Sequence, residues 1–144
     1  MKYNFSKFIG IPYKHLGRDF SGVDCYGLIT LVVKELFSIN LPDFTDLLYS
    51  KDRFDISSKE DHILNSIGVV WIPIGRPYHI FDALIFNSNE DNSMSTHTGL
   101  YIGDEKFIHI VDNQTSMVST LDTSYWKNKL YGAMRLKSLD RGDD

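Results

Sequence analysis

An α+β domain is what this sequence predicts, and three observations lead there. A helix-period run over 24–38 carries Cys25, Leu28, Ile29, Val32, Leu36 and Phe37 on i, i+3, i+4, i+7 spacing. Short β-type segments, bounded by Gly, Pro, Asn and Asp, follow from position 69 onward. Helix first and strands later points to an antiparallel sheet packed on the Cys25 helix rather than to alternating βαβ units. A chain of 144 residues is read as one domain over 1–144, with an elaborated segment at about 43–79.

The elements follow in order. Ser21 or Asp24 can cap the helix, and "NLP" at 40–42 ends it. Gly27 in its first turn disfavours the helix, so something is expected to pack closely there. Positions 43–56 read as an irregular excursion, and Ser57 with Glu60 forms a capping box for a short helix that Gly68 closes. "VVWIPI" (69–74) and "IFDALIFN" (80–87) read as strands around a Gly/Pro connection, and "SNEDNSMS" as loop. "THTGLYIG" and "KFIHIV" read as a hairpin turning at Gly103, Asp104 and Glu105, with "LYGAMRLK" as the last strand.

Composition narrows the function classes. A formal net charge of −4 lacks the concentrated positive field that phosphate binding needs, so no nucleic-acid partner is expected. No apolar run reaches bilayer length, and the N-terminus lacks the apolar middle of a secretory signal, so no membrane insertion and no self-export are expected. The one cysteine makes no internal bridge, and a chain this long needs neither disulfide nor structural metal to build a core.

Hairpin register decides which side chains share a surface. A three-residue loop at 103–105 pairs Ile102 with Lys106 and Gly99 with His109. His97, Gly99, Tyr101, Phe107, His109 and Val111 then share one face, and Leu100, Ile102, Ile108 and Ile110 form an apolar core face. The two imidazoles become diagonal neighbours within hydrogen-bonding reach. A two-residue loop would put them on opposite faces. Gly99, between them, is expected to leave a space that the start of the Cys25 helix enters.

Those three groups suit nucleophilic catalysis. Exposed N–H groups at a helix start and a nearby imidazole lower a thiol pKa from about 8.5 to between about 3.5 and 7.5. Cys25 meets the first condition and His97 could supply the second as general base, with His109 holding the His97 ring in the right tautomer. The first helical N–H groups point where an oxyanion would develop. Duller readings stand beside this one. Cys25 could be a small buried hydrophobe, the histidines structural, and Tyr101 with Phe107 a cross-strand aromatic pair. His15, His62 and His79 are read as structural. A zinc site of Cys25, His97 and His109 would have separations of 72 and 12 residues, unlike common zinc spacings. Spacing and periodicity leave the thiol enzyme as one reading among these.

Several segments, in order, resemble the NlpC-type cell-wall peptidases, a branch of the papain-like cysteine peptidases. "IGIPYKHLGRDFSGVDCYGLITLV" is similar to that family's opening; "FDALIF" resembles its strand that usually begins Gly-Asp; "HTGLYIGDEKFIHI" resembles its His-x-Gly hairpin with a third polar residue 12 positions on. The resemblance implies a papain-like fold whose central antiparallel sheet packs against an N-terminal catalytic helix. It implies Cys25 as nucleophile, His97 as base and His109 as orienting residue. It also implies Tyr13 near the oxyanion and substrate amine, and Asp24 as a contact for the free amino end of a stem peptide. The reaction implied is hydrolysis of a peptidoglycan amide, typically between the D-glutamate γ-carboxyl and the following diamino acid, with no cofactor or metal. Tyr26 stands where most cell-wall members have Ser, and Phe81 replaces the glycine before Asp82. Tyr26 and the segment at 43–79 are expected to reshape the substrate cleft.

"GRDFSGVDC", Tyr26 and "ELFSINLPDF" resemble members found in phage tails. The expected location is a phage tail tip acting at the bacterial cell wall, with other tail-tip proteins as partners. The bacterial cytoplasm, with recycled muropeptides as substrate, is the alternative. Rival functions are a catalytically weak structural module of a tail tip and a thiol acyltransferase of the same fold.

Overall fold

The structure is a computed structural model that describes residues 3–41, 71–87 and 96–137. The expected excursion at 43–56, the short helix closed by Gly68 and the start of the strand at 69 lie outside those residues. After a 3-10 turn, Ser6–Phe8, come β1 (Arg18–Asp19), β2 (Gly22–Val23) and α1 (Cys25–Phe37). Then follow β3 (Trp71–Ile74), β4 (Ala83–Asn87), β5 (Thr96–Gly103), β6 (Lys106–His109), β7 (Met117–Thr120), α2 (Ser124–Lys129) and β8 (Leu130–Leu136). The last six strands form one sheet in the order β3-β8-β4-β5-β6-β7, and each neighbouring pair is antiparallel.

Sequence period and packing agree along α1. Asp24 caps it, accepting from the Gly27 N–H, and Ser38 ends it in the left-handed region. Leu28, Ile29 and Val32 are buried with Leu100, Ile102, Ile108 and Ile110, so the helix covers that face of the sheet. The opposite face carries a second cluster of Leu84, Phe86, Tyr101, Phe107, Leu121 and Ala133, against which Trp126 of α2 packs. Burying about 25 cal/mol per Å² of apolar surface on both faces makes β4 and β5 the centre of the fold. Pro73 sits in β3, an edge strand of the sheet among the described residues, a position that tolerates proline.

The strand expected from Ile80 starts three residues later, at Ala83. Phe81 has φ of 80°, in the left-handed region that favours glycine, and a strand cannot run through it. Its ring is buried and meets Tyr3, Phe5 and Phe37 at centroid distances of 4.8, 5.7 and 4.8 Å. Next to it the Asp82 carboxylate takes both Arg135 donors, Nε at 2.8 Å and Nη2 at 2.9 Å, and the His79 N–H at 2.7 Å. That buried, bidentate pair ties the start of β4 to β8.

The β5–β6 hairpin has the expected register, Leu100 opposite Ile108 and Tyr101 opposite Phe107, by a different route. Its tip is the two residues Asp104 and Glu105, both at positive φ, and a register shift between Tyr101 and Gly103 absorbs the extra residue. Sequence reading took a two-residue loop to separate the histidines. The bulge restores them to one face.

Candidate active site

On that face the His97 Nε2 and His109 Nδ1 atoms lie 2.8 Å apart, and His109 Nε2 lies 2.7 Å from Ser119 Oγ. Trp126 closes over the pair, its ring 5.6 Å from His97 at 28° and 4.9 Å from His109 nearly edge-on. His109 is 1% exposed. Burial pushes the His97 pKa down to about 4, opposed by the nearby Asp112 carboxylate. Burial, followed by the charge of His97, pushes His109 down to about 3. Both rings are therefore neutral at pH 7, the state in which an imidazole can accept a proton.

This has a stability consequence with a definite sign. Below pH 6.5 the unfolded chain protonates both rings while the folded chain resists, so their contribution to stability is present above 6.5 and lost as pH falls through about 4 and 3. Each proton so withheld steepens the loss by about 1.4 kcal/mol per pH unit. Melting temperature is expected to fall between pH 6.5 and 4, and to fall less steeply in a His97→Gln/His109→Gln double variant. Equal slopes would refute the assignment.

Gly99 does not open the space expected of it. A Cβ there would lie 2.7 Å from the Phe107 ring and 3.3 Å from His109 Cβ, so Phe107 fills the gap. α1, from its first residue on, packs on the opposite face.

Cys25 is that first residue, half-buried beside the α1-side core. Tyr13 links it to the histidine side. Its backbone pairs with Val23 next to α1, and its N–H donates to the Gln114 carbonyl in the loop after β6. Its hydroxyl bonds Asp112, the carboxylate that acts on His97. Burial first, then Asp112, Asp24 and Cys25, push the Tyr13 pKa up to about 12, so the phenol keeps its proton. Cys25, Tyr13, Asp112 and His97 thus share one electrostatic neighbourhood.

Asp24 and Tyr26, both expected as substrate contacts, are buried. Asp24 is 1% exposed; Oδ1 accepts from the Gly27 N–H and Arg18 Nη1, each at 2.8 Å, and Oδ2 from the Leu16 N–H at 2.9 Å. Both oxygens serve to cap α1 and anchor the β1–β2 hairpin. Tyr26 is 7% exposed within the α1-side core, with the Arg18 guanidinium 5.9 Å over its ring. It packs in the core, because the residue after Cys25 turns inward on the helix. The packing expected at Gly27 is there: a Cβ would lie 2.0 Å from the Gly17 carbonyl oxygen.

Three residues of this site carried no sequence signal that was read: Asp112, Ser119 and Trp126. Thr123 caps α2 at Trp126 N, 3.5 Å away, and a Thr followed by an aromatic turn was the one available hint. Among the described residues no three His, Cys, Asp or Glu side chains converge as metal ligands, so the zinc reading has no donor set.

Comparison with known proteins bears on the fold and the family. Residues 81–135, which span β4 to β8 and both histidines, match the model of the NlpC/P60 family. The chain is also 26% identical over 127 residues to the probable endopeptidase NlpC of Escherichia coli K12, covering 88% of this chain and 70% of that one. These matches make NlpC/P60 proteins what this chain is similar to. A second relative, murein DD-endopeptidase MepS/murein LD-carboxypeptidase of the same organism, is 23% identical over 134 residues, covering 93% of this chain and 60% of its own. Among solved structures, an NLP/P60-family protein similar to lipoprotein from Staphylococcus aureus Mu50 matches with a TM-score of 0.58 at 23% identity. That match covers 90% of this chain and 38% of that one, and supports the fold of an NlpC/P60 domain: mixed α/β with an antiparallel sheet. The peptidoglycan endopeptidases of the NlpC/P60 family are cysteine peptidases.

Proposed function

We propose that this chain is a cysteine peptidase that hydrolyses an amide bond in peptidoglycan stem peptides, with Cys25 as nucleophile, His97 as general base and His109 as the orienting residue. The observation that carries the reading is the 2.8 Å His97–His109 contact. It engages Nε2 of His97 and leaves Nδ1 for a thiol. The Cys25 S–H proton passes to Nδ1 as sulfur attacks the carbonyl carbon. Negative charge develops on the carbonyl oxygen at the start of α1, where the helix dipole favours an anion. The tetrahedral intermediate collapses, the amine leaves with the proton from His97, and a thioester remains. Water, giving its proton to the same nitrogen, releases the acid and restores the thiol. Tyr13 is the candidate substrate contact at the thiol, and Asp24 acts behind it by holding the helix start.

The bond proposed is the one between the D-glutamate γ-carboxyl and the diamino acid. Mass spectrometry of purified muropeptides after incubation is expected to show a new free amine on the diamino acid and a new γ-carboxyl on glutamate. Cleavage elsewhere in the stem would revise the bond, an acyl group passed to an added amine would favour the acyltransferase, and no product would overturn the peptidase. We further propose a place in a phage tail tip, on the resemblance of the segments around Cys25 to tail-associated members. An antibody to the chain should then detect it in purified virions; detection confined to bacterial cytoplasm would favour muropeptide recycling instead.

A further inference from the structure

We propose that Ser119 is a positioning residue that extends the His97–His109 pair into a row of three, giving the His109 Nε2 hydrogen the acceptor that the productive tautomers need. Its catalytic consequence rests on the peptidase reading above; its geometry does not. His109 spends Nδ1 on His97 at 2.8 Å and Nε2 on Ser119 Oγ at 2.7 Å. The ring is almost wholly buried and roofed by Trp126, so water does not stand in for either partner. Register holds the serine there. Phe107 pairs with Ser119 and His109 with Met117 across β6 and β7, which makes Ser119 and His109 diagonal neighbours on one face.

A neutral imidazole has one N–H and one acceptor nitrogen. For His97 to receive a thiol proton on Nδ1, its resting hydrogen must sit on Nε2 and be donated to His109 Nδ1. His109 accepts there, so its own hydrogen sits on Nε2 and is donated to Ser119 Oγ. The hydroxyl can donate as well as accept, so its part is to give the buried Nε2 hydrogen the acceptor this direction requires. Without it that hydrogen is buried with no acceptor, a cost that tips the row toward the reverse direction. The reversed row places a hydrogen on His97 Nδ1, where no thiol proton can be taken up. When His97 is protonated in turnover its Nε2–H still faces His109 Nδ1, so no proton needs to travel along the row and Ser119 exchanges none.

Long-range 1H–15N correlation spectra of the 15N-labelled full chain at pH 7 read these tautomers directly. Wild type is expected to show both rings with hydrogen on Nε2. Ser119→Ala is expected to move His109 toward the Nδ1–H form, and Ser119→Thr, which keeps the hydroxyl and suits a strand, to restore the wild-type pattern. On muropeptides, Ser119→Ala is expected to lower kcat roughly tenfold or more with KM within about twofold, and Ser119→Thr to recover it. Wild-type rings protonated on Nδ1, tautomers indifferent to Ser119→Ala, or an unchanged kcat would each overturn the proposal. Tautomers that respond as expected in a chain that cleaves no muropeptide would uphold the row and overturn the peptidase reading instead.

Discussion

Cys25→Ala is expected to bring muropeptide hydrolysis to background, and His97→Ala to lower it by about 10²–10⁴-fold, the range in which a positioned acid–base contributes. The two act on one proton transfer, so the double variant is expected to be no slower than Cys25→Ala alone. Thiol chemistry gives a second reading independent of substrate. Iodoacetamide should label wild-type Cys25 stoichiometrically well below pH 8, and His97→Ala should slow that labelling. Because burial holds His97 at about 4, its base form persists through that whole range. A thiol that reacts only under denaturant, or hydrolysis undiminished in Cys25→Ala, would refute the nucleophile.

Gly27→Ala is expected to destabilise the fold by more than about 3 kcal/mol, which for a domain this size lowers the melting temperature by at least about 6 °C. Helix propensity alone gives the opposite sign, a gain of about 1 kcal/mol for Ala over Gly in a helix. Sterics decide, because the new Cβ would lie 2.0 Å from the Gly17 carbonyl oxygen and 2.8 Å from Arg18 Nη1. The first of those is backbone and cannot rotate away. Relief requires moving the β1–β2 hairpin off α1, which also parts Arg18 from Asp24 and loosens the cap that holds Cys25. Calorimetry of the variant checks this, and an unchanged or raised melting temperature would refute it.

Much of this architecture was legible because one face of each element is apolar. The spacing of Leu28, Ile29 and Val32 gives α1, and Asp24 was one of two residues foreseen as its cap. Leu100, Ile102, Ile108 and Ile110 specify the hairpin register so strongly that the wrong tip length still led to the right pairing, since with a two-residue tip the bulge is what brings those four to one face. What escaped is short or assembled from distant parts. β1 and β2 are two residues each, and α2 is six residues around two adjacent aromatics, too brief for periodicity to register. Ser119 and Asp112 meet the histidines through tertiary contacts that no local pattern encodes. Gly99 misled because a missing side chain looks the same in sequence whether a neighbouring helix or the strand's own partner occupies the room; Phe107 does.

Phe81 holds a dihedral that glycine adopts freely, and it holds it with its ring lodged among Tyr3, Phe5 and Phe37. The entrance to β4 is thereby tethered to the first few residues of the described chain and to the tail of α1. Whatever draws residues 3–5 away from the sheet strips the anchor from a conformation phenylalanine does not choose by itself. The disturbance would surface one residue on, at the Asp82–Arg135 clasp, giving a distant grip on the strand that lies beside His97.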